Sequence, residues 1–381
     1  MGFVSFCADV STETMYPLLP IFLTTTLGVQ PDIVGLIEGI ADATGLMITG
    51  VSGWFADHFG HYKRVAFIGY SLTALAKPAI AMASTWPLVL GARFGDRFGK
   101  GIRVAPRDAL LADSVSDDSR GRAFGFERMM DNAGAVAGPL LALALVSAGL
   151  SVPKIFLLTF IPGALAAILI IFVHEPKQHR KLAGRLRFSL SGTKPAYLRL
   201  LFVTGLFSLG NSTNAFLILR AKSFGMTVTT TILCYALYNA VSSAGSLPAG
   251  ILSDRVGRRG LLAIGYGLFA AVYAGFALAG NREWMWVLFA AYGLFPALTD
   301  GIGKAMAVDL AGSAGRATVV GIYSATIGAT QLFASYIGGL LWREISPSST
   351  FFYGSVMSTA ATIMVLLILP SSTKTSEARQ L

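Results

Sequence analysis

Apolar runs of about twenty residues recur from one end of this chain to the other, each long enough as a helix to cross the hydrocarbon core of a bilayer. No polar stretch between them is long enough to fold by itself. A water-soluble enzyme, a disordered chain, a secreted disulfide scaffold and an anchor carrying a soluble domain are therefore excluded. Only 13% of the 381 residues are charged, against roughly a quarter in an average soluble domain. Inside lipid every backbone polar group must be satisfied within its own segment, so the spans are helices. Twelve windows qualify: 3–27, 33–56, 65–84, 87–110, 123–149, 153–173, 198–220, 228–252, 261–280, 284–308, 317–341 and 350–370. The first resembles a signal peptide only by position. It has no basic leader, carries Asp9 and Glu13 and lacks a small-residue cleavage site, so it is read as a span. The fold class is an all-α polytopic membrane protein.

Loop charge predicts the orientation. The net charge is +10, and most basic residues fall in the connections after spans two, four, six and eight: Lys63 and Arg64, Arg120 and Arg122, the run from Lys177 to Arg199, and Arg255, Arg258 and Arg259. The intervening loops hold at most a single basic residue such as Lys154, Arg282 or Arg343. Positive loops stay inside, so both termini and the long basic linker are expected in the cytoplasm, and nucleic acid is not expected as a partner. Trp54, Trp86, Trp284, Trp286 and Trp342 fall near predicted span ends, where an aromatic belt would place them. Cys7 and Cys234 are far apart in apolar segments, and His58, His61, His174 and His179 have no metal-ligand spacing. No disulfide, metal or soluble cofactor is expected.

The basic interruption divides the chain into 1–173, a linker 174–197, a second half 198–370 and a tail 371–381. The halves echo one another. Gly53-Trp-Phe-Ala-Asp57-His-Phe-Gly60 matches Gly250-Ile-Leu-Ser-Asp254-Arg-Val-Gly257, Asp96-Arg-Phe-Gly99-Lys100 matches Asp300-Gly-Ile-Gly303-Lys304, and Gly121-Arg122-Ala123 matches Gly315-Arg316-Ala317. Three matches in one order point to a duplicated six-helix unit.

Gly53-x-x-x-Asp57-x-x-Gly60-x-x-Lys63-Arg64 resembles the loop signature between the second and third helices of the major facilitator superfamily. Its second copy is Gly250-x-x-x-Asp254-Arg255-x-Gly257-Arg258-Arg259. Glycine lets helices approach closely, Asp caps or pairs across a helix end, and the cations hold the turn at the inner surface. The first copy carries His58 and His61 where the family usually has Arg. Span five holds Gly125, Gly134 and Gly138-Pro139, similar to the glycine-proline motif of the superfamily's antiporters, with Ala142-Leu143 where paired glycines would end it. Glycine and proline are also common in any membrane helix. Arg97-x-x-Lys100-Gly101 is similar to the family's fourth-helix arginine motif, with Lys100 and Arg103 in place of Gln and Gly. Gly95 to Lys100 is too short for a phosphate-binding loop and follows no strand, so transport would be driven by a gradient.

The resemblance implies twelve helices in two six-helix bundles around a midplane cavity. It implies no enzyme but a secondary transporter, monomeric, in the bacterial inner membrane. The antiporter-like motif and the intramembrane carboxylates point to proton-coupled efflux of a small organic compound. An importer of an anionic metabolite, favoured by Arg93, Arg97, Lys100 and Arg103, and a non-transporting receptor remain as alternatives.

A charge near the bilayer centre costs at least ~2.5–3.5 kcal/mol and marks either function or a structural ion-pair network. Ser5, Asp9, Thr12, Glu13 and Tyr16 share one stripe of span one. Glu38 and Asp42 lie four apart, as do Glu127 and Asp131; Arg93, Asp96, Arg97 and Lys100 share a face, and Lys77 stands alone beside Pro78. Cations on its own face mark Asp96 as structural, with Lys100 its expected partner. A proton carrier should lack a fixed cation, so Glu13, Asp42 and Asp131 are the leading candidates, followed by Asp9 and Glu38; Arg128 counts against Asp131. Candidates for the substrate cavity are Arg93, Arg97, Lys100, Asn211, Asn214, Tyr235, Tyr238, Asn239, Asp300 and Gln331. Gating falls to Gly53, Asp57, Gly60, Lys63, Arg64, Arg122, Gly134, Gly138, Pro139, Gly250, Asp254, Arg255, Gly257 and Arg258, with Arg122 the expected partner of Asp57.

Overall fold

The computed structural model describes residues 1–59, 61–116, 119–173, 194–311 and 316–370, and among them the chain makes twelve helical passages. The first six are α1 (from Gly2–Met15 to a π turn at Phe22–Thr26), α2 (Pro31–Phe59), α3 (Tyr62–Ala81), α4 (Trp86–Asp113), α5 (Arg120–Ser147) and α6 (Val152–Leu158 then Phe160–Ile171). The second six are α7 (Pro195–Gly210 then Ala215–Ser223), α8 (Val228–Val256), α9 (Arg258–Leu278), α10 (Trp284–Leu310), α11 (Arg316–Glu344) and α12 (Pro347–Ile368). Each overlaps one predicted window, with ends moved by a few residues. Because α7 begins at Pro195, the last residues of the expected linker are helical; the rest of the linker and the tail 371–381 lie outside the described residues.

Two passages depart from regular helix for local reasons. Pro17 and Pro20 lack an N–H, and α1 tightens there to a 3₁₀ turn at Tyr16–Leu18 before loosening into its π turn. In α7 the polar run Asn211-Ser-Thr-Asn214 interrupts an apolar span. Such side chains compete with the helix for backbone partners: Thr213 Oγ1 accepts from the Ala215 N–H and Ser335 Oγ from the Thr213 N–H. Seven passages cross a bilayer on length and composition alone. Passages α3 and α4 are not among them; they carry Lys77, Arg93, Asp96, Arg97 and Lys100, and Lys77, Arg93 and Asp96 are buried inside the bundle.

The packing repeats. In the first bundle α1 packs on α5 and α6, α2 on α4, and α3 on α4 and α6; six passages later α7 packs on α11 and α12, α8 on α10, and α9 on α10 and α12. The bundles meet along α2–α11 and α5–α8, two seams exchanged by the same relation, as expected for a duplicated unit. The α2–α11 seam has no room for side chains at its glycines. A Cβ on Gly35 would lie 2.2 Å from the Ser335 carbonyl oxygen, and one on Gly339 2.5 Å from the Asp32 Cα.

The α2–α3 and α8–α9 turns define a basic face, and the α1–α2 and α7–α8 turns a bare face. At the bare face Leu18, Leu19 and Phe22 near the end of α1 are buried, and this part of α1 packs on the second piece of α7, buried from Ala215 to Ala221. Arg343 Nη1 donates to Asp32 Oδ2 at 2.7 Å there, joining α11 to α2. Arg220, one of the few cations of that face, donates to the carbonyls of Phe276 and Ala277, satisfying orphan acceptors at the end of α9.

Candidate functional site

Three elements of the first bundle build a buried charged core. The helical period sets Arg93, Asp96 and Arg97 on one face of α4, toward α2 and α3. Gly69 and Gly99 bring α3 against α4, since a Cβ on Gly99 would lie 2.6 Å from the Gly69 carbonyl oxygen. Arg93 Nε and Nη2 donate to both Glu38 oxygens, at 2.8 and 2.5 Å, and Nη1 donates to Asp96 Oδ2 at 2.8 Å. Lys77 Nζ donates to Asp96 Oδ1 at 2.8 Å, and Arg97 Nε lies 3.7 Å from Asp42 Oδ1. Three cations face three carboxylates, so the core is neutral.

This corrects three expectations. Asp96 is held by Lys77 and Arg93, not by Lys100. Glu38 has no cation nearby in sequence, yet it makes a bidentate pair with Arg93. Arg93 is fully buried and is not among the residues lining the cavity between the bundles. The Lys77–Asp96 and Arg93–Glu38 pairs join different helices and leave no trace in local spacing, whereas Arg93 and Asp96 lie three apart on α4.

A second acidic face lies between α1 and α5. A Cβ on Gly134 would lie 2.7 Å from the Phe6 carbonyl oxygen and 3.0 Å from Asp9 Cβ; one on Gly138 would lie 2.7 Å from Glu13 Cβ. The glycine-proline segment therefore seats the acidic stripe of α1. Pro139 has no N–H, which leaves the Ala135 carbonyl without its helical donor. Asn239 Nδ2 of α8 donates to it at 2.9 Å, tying the two bundles. One turn from there, Glu13 Oε2 accepts from Tyr235 Oη of α8 at 2.9 Å, and among the described residues no cation lies within ion-pair distance of Glu13. Asp131 is paired, with Arg128 Nη1 at 3.4 Å and Arg107 Nη1 at 3.9 Å. Arg107 also bridges to Glu127 at 2.8 Å. Sequence reasoning missed Arg107, although it continues the period of Arg93, Arg97, Lys100 and Arg103 along α4. Asp131, Lys100 and Glu13 are charged neighbours of Asp9.

Between the bundles lies a cavity of about 510 Å³. The first bundle contributes Asp42, Leu46 and Arg128; the wall is otherwise from α7 to α11. The break in α7 places Asn211 and Asn214 on this wall, and Tyr292 Oη donates to Asn214 Oδ1 at 2.8 Å. Tyr238 and Gln331 line it as expected, together with Asp300. Aromatic rings that read in sequence as ordinary apolar residues, Phe207, Tyr266, Tyr292, Phe295 and Tyr323, complete it. Asn239 lies on the α5–α8 seam and Tyr235 against Glu13 and Tyr16 of α1 instead, and Arg97 and Lys100 are not among the lining residues. Toward the basic face Arg128, Asp300, Gly301 and Lys304 are exposed; toward the bare face the α1–α7 contact and the Tyr16 ring stacked on Tyr235 at 5.5 Å shut the cavity.

Of the gating candidates, Arg258 pairs with Asp309 of α10. Gly257 takes φ +90° between α8 and α9, a left-handed conformation that favours glycine. Gly53 would bring a Cβ within 3.7 Å of Ala105, while Gly250 has open space on its Cβ side. Lys63 and Arg64 border a shallow cleft with Phe67 and Ile171. Arg122 donates to Ser119 Oγ at 3.1 Å; its expected pairing with Asp57 falls outside the described side chains, as do Gly60, Asp254 and Arg255.

The model of the Major Facilitator Superfamily matches the chain twice, over residues 1–208 and 200–380. An uncharacterized MFS-type transporter of Methanocaldococcus jannaschii is 33% identical over 375 residues, covering 97% of this chain and 94% of that protein. The tetracenomycin C resistance and export protein of Streptomyces glaucescens is 32% identical over 137 residues, 35% of this chain and 24% of that protein. Among solved structures, a POT family transporter in complex with 5-aminolevulinic acid superposes with a TM-score of 0.81 at 14% identity, over 97% of this chain and 95% of that one. Two tandem matches, two bundles built alike and a cavity between them agree: the chain is a membrane transporter of the major facilitator superfamily.

Proposed function

We propose that this chain is a secondary active transporter that exports a small organic compound in exchange for protons. The observation that carries the reading is a cavity between two like bundles, open toward one face and shut at the other, where Glu13 has no cation within ion-pair distance among the described residues. That is one half of an alternating-access cycle. The basic face is the cytoplasmic one, by the distribution of loop cations. Support for a proton comes from Glu13. Its Oε2 accepts from Tyr235 Oη across the bundles, so a change in its protonation changes the contact that shuts the bare face. In that cycle, taking a proton outside closes the bare face and opens the cavity inward, where the proton leaves and the compound enters. Support for export comes from the seating of Asp9 and Glu13 on the glycine-proline segment. The likeness to an export protein adds to it. The anion-import reading loses support at three of its four cations, because Arg93 and Arg97 are held by Glu38, Asp96 and Asp42 and Arg103 lies over the Tyr70 ring at 4.2 Å; Lys100 is the fourth. One chain encloses the whole cavity, so the cycle needs no second copy.

Inside-out membrane vesicles with an acidified lumen test this. A transported compound should accumulate in the lumen, and a protonophore should collapse the accumulation. Uptake driven only by the opposite gradient would instead mean symport into the cell. A reporter fused after Gln178 should be active only in its cytoplasmic form.

A further inference from the structure

Among the described residues, four charged side chains line the cavity, Asp42 and Asp300 against Arg128 and Lys304, and they sum to zero. At its mouth Asp300 and Lys304 are four residues apart on α10, one helical turn, and Arg128 of α5 is the other charge acting on Asp300. Deeper in, Asp42 is matched by Arg97, and behind that pair the core of Arg93, Lys77, Glu38 and Asp96 is closed on itself. The lining therefore carries no net charge to offset the desolvation of an ion.

What the wall does present is a continuous aromatic layer. Phe207 stacks on Tyr266 with centroids 3.8 Å apart and planes 3° apart, and Tyr292 joins Tyr238 and Phe295 at 5.3 and 5.7 Å. Rings at such spacings offer faces and edges to a flat π-system. Two amides stand beside the layer. Asn214 is occupied by Tyr292 and Tyr238. Asn211 and Gln331 border the cavity, and among the described residues no hydrogen bond of their side chains is found. A cavity of about 510 Å³ is of the size that holds a drug-sized molecule.

We infer that the compound carried is uncharged, flat and aromatic, with hydrogen-bonding substituents that meet Asn211 and Gln331, and that the Asp300–Lys304 balance excludes ions. The inference rests on the transport reading for the direction of movement but not for binding, so the two fail separately.

Three probes on one ring system test it: quinizarin, its sulfonate, and mitoxantrone, which are respectively uncharged, anionic and cationic. Binding to the purified protein in nanodiscs is followed by the probe's own optical signal, at a pH where quinizarin is uncharged. Quinizarin should bind at least about tenfold more tightly than either ion. Asn211→Ala should weaken it roughly fivefold, one hydrogen bond's worth. Lys304→Gln should shift preference toward mitoxantrone and Asp300→Asn toward the sulfonate, changes that a loss of packing alone would not produce. Binding of an ion as tight as that of quinizarin, an order of preference unmoved by either charge change, or binding of none of the three would overturn the inference. Flux under a pH gradient, measured apart, decides the transport reading: selective binding without flux leaves the inference standing and sinks that reading.

Discussion

Arg93→Met is expected to remove most of the folded protein from the membrane. The substitution leaves the buried Glu38 carboxylate with no partner and Asp96 with Lys77 alone. Deleting one member of a buried ion pair costs about 3–5 kcal/mol, a large share of a marginal stability. Adding Glu38→Gln removes the orphaned charge, so the double variant should recover much of the loss. Thermal unfolding of the detergent-solubilised protein measures both. A single variant as stable as the parent would mean that the core is not what holds α2, α3 and α4 together.

Glu13→Gln is expected to reduce pH-gradient-driven flux of a transported compound to background while counterflow exchange, which moves no net proton, persists. Tyr235→Phe removes only the hydrogen bond that Glu13 accepts across the bundles. It should weaken bare-face closure by roughly 1 kcal/mol, about fivefold in the conformational equilibrium, and leave flux coupled. Asp42 and Asp131 follow Glu13 in order of expectation, and the structure gives both of them cationic neighbours. Full gradient-driven flux in Glu13→Gln would move proton coupling to another carboxylate.

Much of this architecture was legible in the chain. Spans could be located because lipid demands long apolar helices, and the duplication because Gly53 to Gly60 returns as Gly250 to Gly257. The acidic stripe of α1 and the charged face of α4 followed from the helical period, while the break in α7 fell inside the single window 198–220 and was not read. Partnerships were not legible. Lys77 finds Asp96 across nineteen residues and Arg93 finds Glu38 across fifty-five, distances that only tertiary packing closes. The cavity wall was half legible: Asn211, Asn214, Tyr238, Asp300 and Gln331 stood out as polar groups in apolar spans. Phe207 and Phe295 did not, because a ring facing a cavity and a ring facing lipid satisfy the same hydropathy. Glu13 was singled out for lacking nearby cations, and the folded chain adds a reason: its partner is a neutral phenol on the other bundle.

The central claim is that one cavity is exposed to the two faces in turn, under the control of protonation at Glu13. Pulsed electron–electron resonance tests it without knowledge of the substrate. With Cys7 and Cys234 replaced, one spin-label pair at Thr26 and Thr227 spans the bare face and another at Gly121 and Leu247 spans the basic face; all four positions are exposed. At acidic pH the bare-face distance should be short and the basic-face distance long, as in the structure. Raising the pH should lengthen the first and shorten the second together, and Glu13→Gln should remove this response to pH. Distances that ignore pH, or a Glu13→Gln protein that still responds fully, would contradict the account.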